Sequence, residues 1–233
     1  MTAIHPDSER YPILGQRAAL VVAGRAPRAN AWKKRLLAAA NARGNRRHEA
    51  AVQGHKAELF GELRGKIVEI GPGAGTNLSC FRRDVAWTGI EPNPYMHRYL
   101  RERAKRLGLE IDLRVGRVED MDVASDSVDA VAGSLVLCSV PDVARALGEV
   151  KRVLRPGGRF VFIEHVAADR DTWARRTQKW IAPINRVFGD GCRHDRDIWR
   201  DIFVAGFAEV RIERIELPLW LGGPHIAGYA VKR

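Results

Sequence analysis

The sequence predicts a doubly wound α/β fold: a mostly parallel, seven-stranded sheet with helices on both faces, preceded by an N-terminal helical extension. Three observations point there. After Gly65, short β-rich runs alternate with helical ones; one run leads straight into a glycine-rich turn; and the chain closes on two extended stretches joined by a Gly/Pro-rich connection. Repeated β-then-α units demand right-handed crossovers, and hence a parallel sheet. A short connection between consecutive strands gives antiparallel pairing.

The elements follow in chain order. Residues 1–12, with Pro6 and Pro12, read as a loose lead. From about Leu14 to Leu63 the pattern is helical, broken near Ala26-Pro27 and Gly44. Trp32, Leu36 and Leu37 suggest an apolar face there, with Lys33, Lys34 and Arg35 opposite, so the segment reads as a basic amphipathic helix. Strands are expected at Lys66–Ile70, Ala86–Ile90, Glu110–Val115, Val128–Ser134 and Arg159–Glu164. The clearest helix is Asp142–Leu154, where Val143, Ala146, Leu147, Val150 and Leu154 share a face before the turn Arg155-Pro156-Gly157-Gly158. Helices at about Thr172–Phe188 and Arg196–Val204 then lead to strands Glu209–Leu217 and His225–Val231, linked through Pro218–Pro224. The division implied is a basic helical extension over 1–63 and a ligand-binding domain over 64–233.

Composition narrows the function classes. Hydrophobic residues at 45% and charged residues at 29% describe an ordinary globular chain. Residues 1–66 carry 13 Lys and Arg against 5 Asp and Glu, so most of the net charge of +11 sits in the extension. Such a segment suits a peripheral contact with an anionic membrane surface, or simply a solvated helical face. Its aromatics are only Tyr11, Trp32 and Phe60, which disfavours nucleic acid as a partner. Cys80, Cys138 and Cys192 are too scattered for a disulfide framework, and no Cys/His spacing suggests a metal site. Ile13–Gly24, interrupted by Gln16 and Arg17, is too short and polar to span a bilayer. A cytoplasmic location, with peripheral membrane contact as an option, is expected.

The most informative stretch is Ile67-Val68-Glu69-Ile70 running into Gly71-Pro72-Gly73-Ala74-Gly75-Thr76-Asn77. Ligands of open α/β sheets bind at the carboxyl ends of strands, where this turn falls. Gly71 and Gly73 let backbone approach a ligand, and a following helix is expected to offer free N–H groups to a carboxylate. Twenty residues on, Glu91 ends the next strand, placed to accept both hydroxyls of a ribose. Dinucleotide enzymes use the same logic, but their third glycine would fall at Thr76, whereas here the spacing is GxGxG, closing at Gly75.

With Glu91, the Leu154–Gly158 turn and the terminal hairpin, the pattern resembles the class I S-adenosylmethionine-dependent methyltransferases. That resemblance implies S-adenosylmethionine as cofactor. Its contacts would be Glu69, Gly71, Gly73, Gly75 and Asn77 around the turn, Glu91 and Pro92 after strand two, Val118, Glu119 and Asp120 beside adenine, and Ser134 and Leu135 after strand four. The Asn/Asp-Pro-Pro-Tyr/Phe motif of amide and amino-DNA methyltransferases is absent after strand four.

A narrower resemblance is to the membrane-associated alkyl-thiol methyltransferases of the methyltransferase-like group. It rests on Glu119-Asp120-Met121, Leu135-Val136-Leu137-Cys138-Ser139-Val140, Glu164-His165-Val166-Ala167-Ala168, Asp190-Gly191-Cys192 and Pro224-His225-Ile226. The family's long apolar N-terminal anchor is missing, and its Cys-Gly-Thr-Gly turn reads Gly71-Pro72-Gly73-Ala74-Gly75. The implied function is methyl transfer to a small-molecule thiol, with oxygen, nitrogen or phospholipid-headgroup acceptors as alternatives, and a silent cofactor- or nucleic-acid-binding module as a further one. Cys138, Ser139 and His165 would face the substrate. His165, just past strand five, is placed to receive or orient the thiol proton, a packing role being the alternative. For Cys138 and Cys192 inert packing is the simpler reading. His225 reads as structural, and the tryptophans at 173, 180, 199 and 220 line either a pocket or the core.

Overall fold

The structure, a computed structural model, describes residues 31–43, 46–169, 171–188, 192–193, 195–218 and 223–233. Residues 33–233 pack as one compact unit. The expectations for the lead segment up to Pro27, for Asp190-Gly191 and for Trp220 lie outside the described residues.

Seven strands, β1 (Lys66–Ile70), β2 (Ala86–Ile90), β3 (Asp112–Arg114), β4 (Val128–Ser134), β5 (Leu154–His165), β6 (Glu209–Ile215) and β7 (His225–Val231), form one sheet in the order β3-β2-β1-β4-β5-β7-β6. Pairing is parallel from β3 to β5, while β7 runs antiparallel to both β5 and β6. The expected mostly parallel sheet with a terminal hairpin is what forms. The last strand inserts between β5 and β6, so its start lies beside the end of β5, with His165 paired to His225.

The described helices are α1 (Ala31–Arg43), α2 (Arg46–Gly61), α3 (Met96–Leu107), α4 (Val143–Val153), α5 (Trp173–Phe188) and α6 (Ile198–Val204). Alternation along the strands divides the core. Val68, Ile70, Val131, Phe160 and Phe162 pack with Ala146, Leu147 and Val150 of α4 and Ile198 and Ile202 of α6. Ile67, Ala130, Ala132 and Val161 pack with Phe60 of α2 and Leu100 and Ala104 of α3. Helices thus cover both faces, as a doubly wound sheet requires. Phe60 and Leu63 lie in the same cluster as Ile67, so the expected division at residue 63 runs through one packed core. α4 starts where Asp142 accepts a hydrogen bond from the Arg145 amide at 3.0 Å, and α3 ends at Gly108 with φ 64°.

Three expectations need correction. No α-helix follows the glycine turn; the chain makes a single 3-10 turn, Leu78–Cys80. Leu78, Cys80 and Phe81 are drawn into the core, with Phe81 stacked on Phe60 at 5.4 Å between centroids, and three glycines and a proline nucleate helix poorly. The Arg155–Gly158 turn is instead an irregular stretch inside β5, where the β4–β5 register shifts between Val128 and Ala130. In α1 the buried position is Ala38, while Leu36 is exposed, so the amphipathic pattern does not describe how this helix packs. No described helix is long and apolar enough to cross a membrane.

Candidate active site

The carboxyl ends of β1, β2, β4 and β5 lie along one edge of the sheet, where the strand order reverses between β1 and β4 and open α/β sheets have their ligand crevice. At its centre, β1 exits into Gly71 and Gly73, both with φ 55°, a left-handed conformation that L side chains adopt at a cost. They serve differently. A Cβ on Gly71 would come within 2.7 Å of Val136 Cγ2, whereas one on Gly73 would meet no atom of the described residues within 4 Å. Gly71 is therefore a packing glycine, and Gly73 opens its backbone onto free space. Gly75 packs against Leu78 and Leu100.

Glu91, at the end of β2, holds that turn: its carboxylate accepts from the Gly73 amide at 3.0 Å and from the Asn93 amide at 2.8 Å. Pro92 follows Glu91 in the same loop. Glu69 behaves otherwise. It is fully buried and accepts from Asn77 Nδ2 at 2.8 Å and Trp87 Nε1 at 3.0 Å, and burial raises its pKa from 4.5 to about 7. Through these bonds Glu69 ties Asn77, in the turn, to Trp87 of β2. Beyond β3, Val118 and Glu119 are buried, Asp120 is exposed, and Arg117 pairs with Glu119 at 3.2 Å.

At the end of β4, Leu135 takes φ 59°, a rare conformation for this residue type, and its amide donates to the Ile163 carbonyl at 2.8 Å. Glu164 fixes the loop that follows. Its carboxylate accepts from the amides of Val136 and Leu137 at 2.9 Å each and of Cys138 at 3.3 Å. The sequence motif contained Glu164, but nothing in its spacing revealed that it caps three successive amides 26 to 28 residues earlier. Ser134 and Ser139 are half-buried and Cys138 is fully buried, with its thiol pKa pushed up by the Cys192 contact and by burial.

Around His165 the structure assembles a cluster. His165 lies 4.2 Å from His225 and 5.8 Å from His48 between ring centroids, and all three rings are buried. His48 Nε2 and His225 Nε2 are 3.0 Å apart, and His225 Nδ1 donates to the Gly223 carbonyl at 2.7 Å. Burial, then the neighbouring His165, lower the His48 pKa to about 4. Cys192 Sγ sits 3.9 Å from His165 Nδ1 and 3.2 Å from Cys138 Sγ. A separate cavity of about 390 Å³, lined in part by Phe81, Arg82, Arg83, Trp87 and Leu109, opens beside the start of β2, at the opposite end of that strand from the crevice.

Comparisons with known proteins give the family and the fold. A family model described as a methyltransferase domain matches residues 68–162. The chain is 38% identical over 210 residues to the protein named thiol S-methyltransferase TMT1B from Homo sapiens, covering 84% of each chain. Against thiol S-methyltransferase TMT1A from Homo sapiens it is 40% identical over 190 residues, covering 76% of this chain and 78% of the relative. Among solved structures, the geranyl diphosphate C-methyltransferase of Streptomyces coelicolor A3(2) superposes with a TM-score of 0.63 at 18% identity, over 79% of this chain and 80% of that one, a likeness of fold. By its identity to the two human proteins over most of their length, the chain belongs to the same methyltransferase family.

Proposed function

We propose that the protein transfers a methyl group from S-adenosylmethionine to the sulfur of a small apolar thiol. The open backbone at Gly73, clamped by Glu91, carries the cofactor reading, because it is a cradle that any side chain would fill. The acceptor reading is supported by relatives named thiol S-methyltransferase that span four fifths of the chain. The crevice fits the cofactor. Glu91 suits its ribose hydroxyls, and Val118, Glu119 and Asp120 the adenine side, while the amides of Gly71, Gly73 and Gly75 already donate to Ile90, Glu91 and Pro72 and shape the turn. When bound, the cofactor supplies a methyl carbon activated by its sulfonium.

What remains for the chain is alignment and loss of the acceptor proton. Glu164 and the Leu135 turn fix the loop from Val136 to Ser139, which borders the acceptor side with His165. A thiol with a pKa near 8.5 is mostly protonated at neutral pH, so ionising it costs about 2 kcal/mol. The sulfur gains the methyl group, and its proton leaves to solvent.

A panel of thiols, phenols, amines and lipid headgroups, assayed for release of the demethylated cofactor, tests this reading. Turnover is expected with apolar thiols first. Methylation of phenols or amines with no thiol turned over would defeat the acceptor assignment and leave the methyltransferase family membership untouched.

A further inference from the structure

We propose that His48, His165 and His225 bind a zinc ion whose fourth coordination position takes the acceptor sulfur as a thiolate; this last clause rests on the thiol reading above.

The three imidazoles come from α2, the last residue of β5 and the first residue of β7, and their ligand atoms all lie within 4.8 Å of one another. The convergence is fixed by the sheet itself, since His165 and His225 are register partners, and α2 lays His48 over them. His225 shows the arrangement typical of a metal-ligating histidine. Its Nδ1 faces a carbonyl, which only accepts, so Nδ1 carries the hydrogen and the neutral ring presents the Nε2 lone pair. That lone pair points toward His48 Nε2 at 3.0 Å. Two nitrogens on a tetrahedral zinc with bonds near 2.0–2.1 Å stand about 3.3 Å apart. That pair is within a few tenths of an ångström of zinc spacing, and the His165 ligand atom lies within 4.8 Å of both.

The donor chemistry selects the metal. Imidazoles suit zinc and its neighbours rather than magnesium or calcium, and the cysteines that share His165 keep the surroundings soft. Three histidines leave a tetrahedral zinc one position for a further ligand, which is the ligand count of a catalytic zinc site. The place fits the reaction, because a ligand atom of His165 lies within 4.8 Å of the Cys138 thiol, in the loop that Glu164 holds. On coordination the acceptor S–H bond breaks, a zinc–sulfur bond forms and the proton passes to solvent; a coordinating thiol is deprotonated outright. His165 thereby sets the reactive state of the acceptor as a metal ligand.

The test is calorimetric titration of chelator-treated full-length protein with zinc chloride. One ion per chain is expected, with binding weakened ~100-fold or more in His48→Gln and in His225→Gln and changed by no more than about threefold in Cys192→Ser. Cofactor binding, read separately by calorimetry, serves as the check that each variant is folded. Absence of zinc binding in the wild type, or a loss as large in Cys192→Ser as in the histidine variants, overturns the site. Cobalt substitution tests the fourth position. Adding a small thiol to the cobalt protein should produce a sulfur-to-cobalt charge-transfer band, and its absence overturns the thiolate clause. Thiol methylation that survives full zinc removal also overturns that clause while the proposed reaction stands; a band with a thiol that is never methylated supports the site and defeats the reaction.

Discussion

Replacing Gly73 by alanine separates folding from cofactor binding at one atom. The residue sits at φ 55°, which costs an L side chain about 1–2 kcal/mol, but the added Cβ meets no atom of the described residues within 4 Å. Strain is then the whole stability cost, a melting temperature lower by about 2–8 °C for a chain of this size. Gly71→Ala carries the same strain plus a 2.7 Å approach to Val136 Cγ2, an overpacking worth about 1–3 kcal/mol more. The methyl of Gly73→Ala projects into the space where the cofactor must meet backbone, so its dissociation constant should rise about tenfold or more, equivalent to ~1.4 kcal/mol. Thermal denaturation and calorimetry with S-adenosylmethionine check both. Gly71→Ala should be the less stable variant and Gly73→Ala the better folded one that binds poorly. A Gly73→Ala protein that binds the cofactor with wild-type affinity would refute the argument that this glycine is present for the ligand.

Glu91→Ala should weaken the cofactor by several kcal/mol at most and also lower stability, because the amides of Gly73 and Asn93 lose their acceptor, at about 1–3 kcal/mol for each donor left buried; calorimetry on the folded variant showing unchanged affinity would sink the ribose assignment. Glu69 predicts a pH signature. Its folded pKa of about 7 lies above the unfolded 4.5, so its contribution to stability is full below pH 4.5 and is lost as pH rises through 7. The loss amounts to about 3 kcal/mol. Denaturant unfolding of wild type and Glu69→Gln at pH 5 and pH 8 should show the wild type losing more stability on the alkaline side, and equal slopes would overturn this account.

Sequence alone determined what depends on neighbours in the chain. Strands such as Ile67–Ile70, with their buried apolar runs, the glycine turn that ends them, the helix from about Asp142 and the Glu91 position all follow from short-range backbone preference and periodicity, and the structure reproduces them. The helix expected after Asn77 failed because tertiary packing of Leu78 and Phe81 against α2 outweighed a local pattern. Glu164 under the β4 loop was invisible for another reason: a hydrogen bond spanning 28 residues leaves no spacing to read. The same holds more strongly for the histidines. His48 and His225 are 177 positions apart, and the scattered Cys and His spacings gave no sign of a shared site. What brings them together is the insertion of β7 beside β5 and the register that pairs His225 with His165. Strand order and register depend on which apolar faces find each other across the whole sheet, so only the tertiary structure decided where those side chains meet.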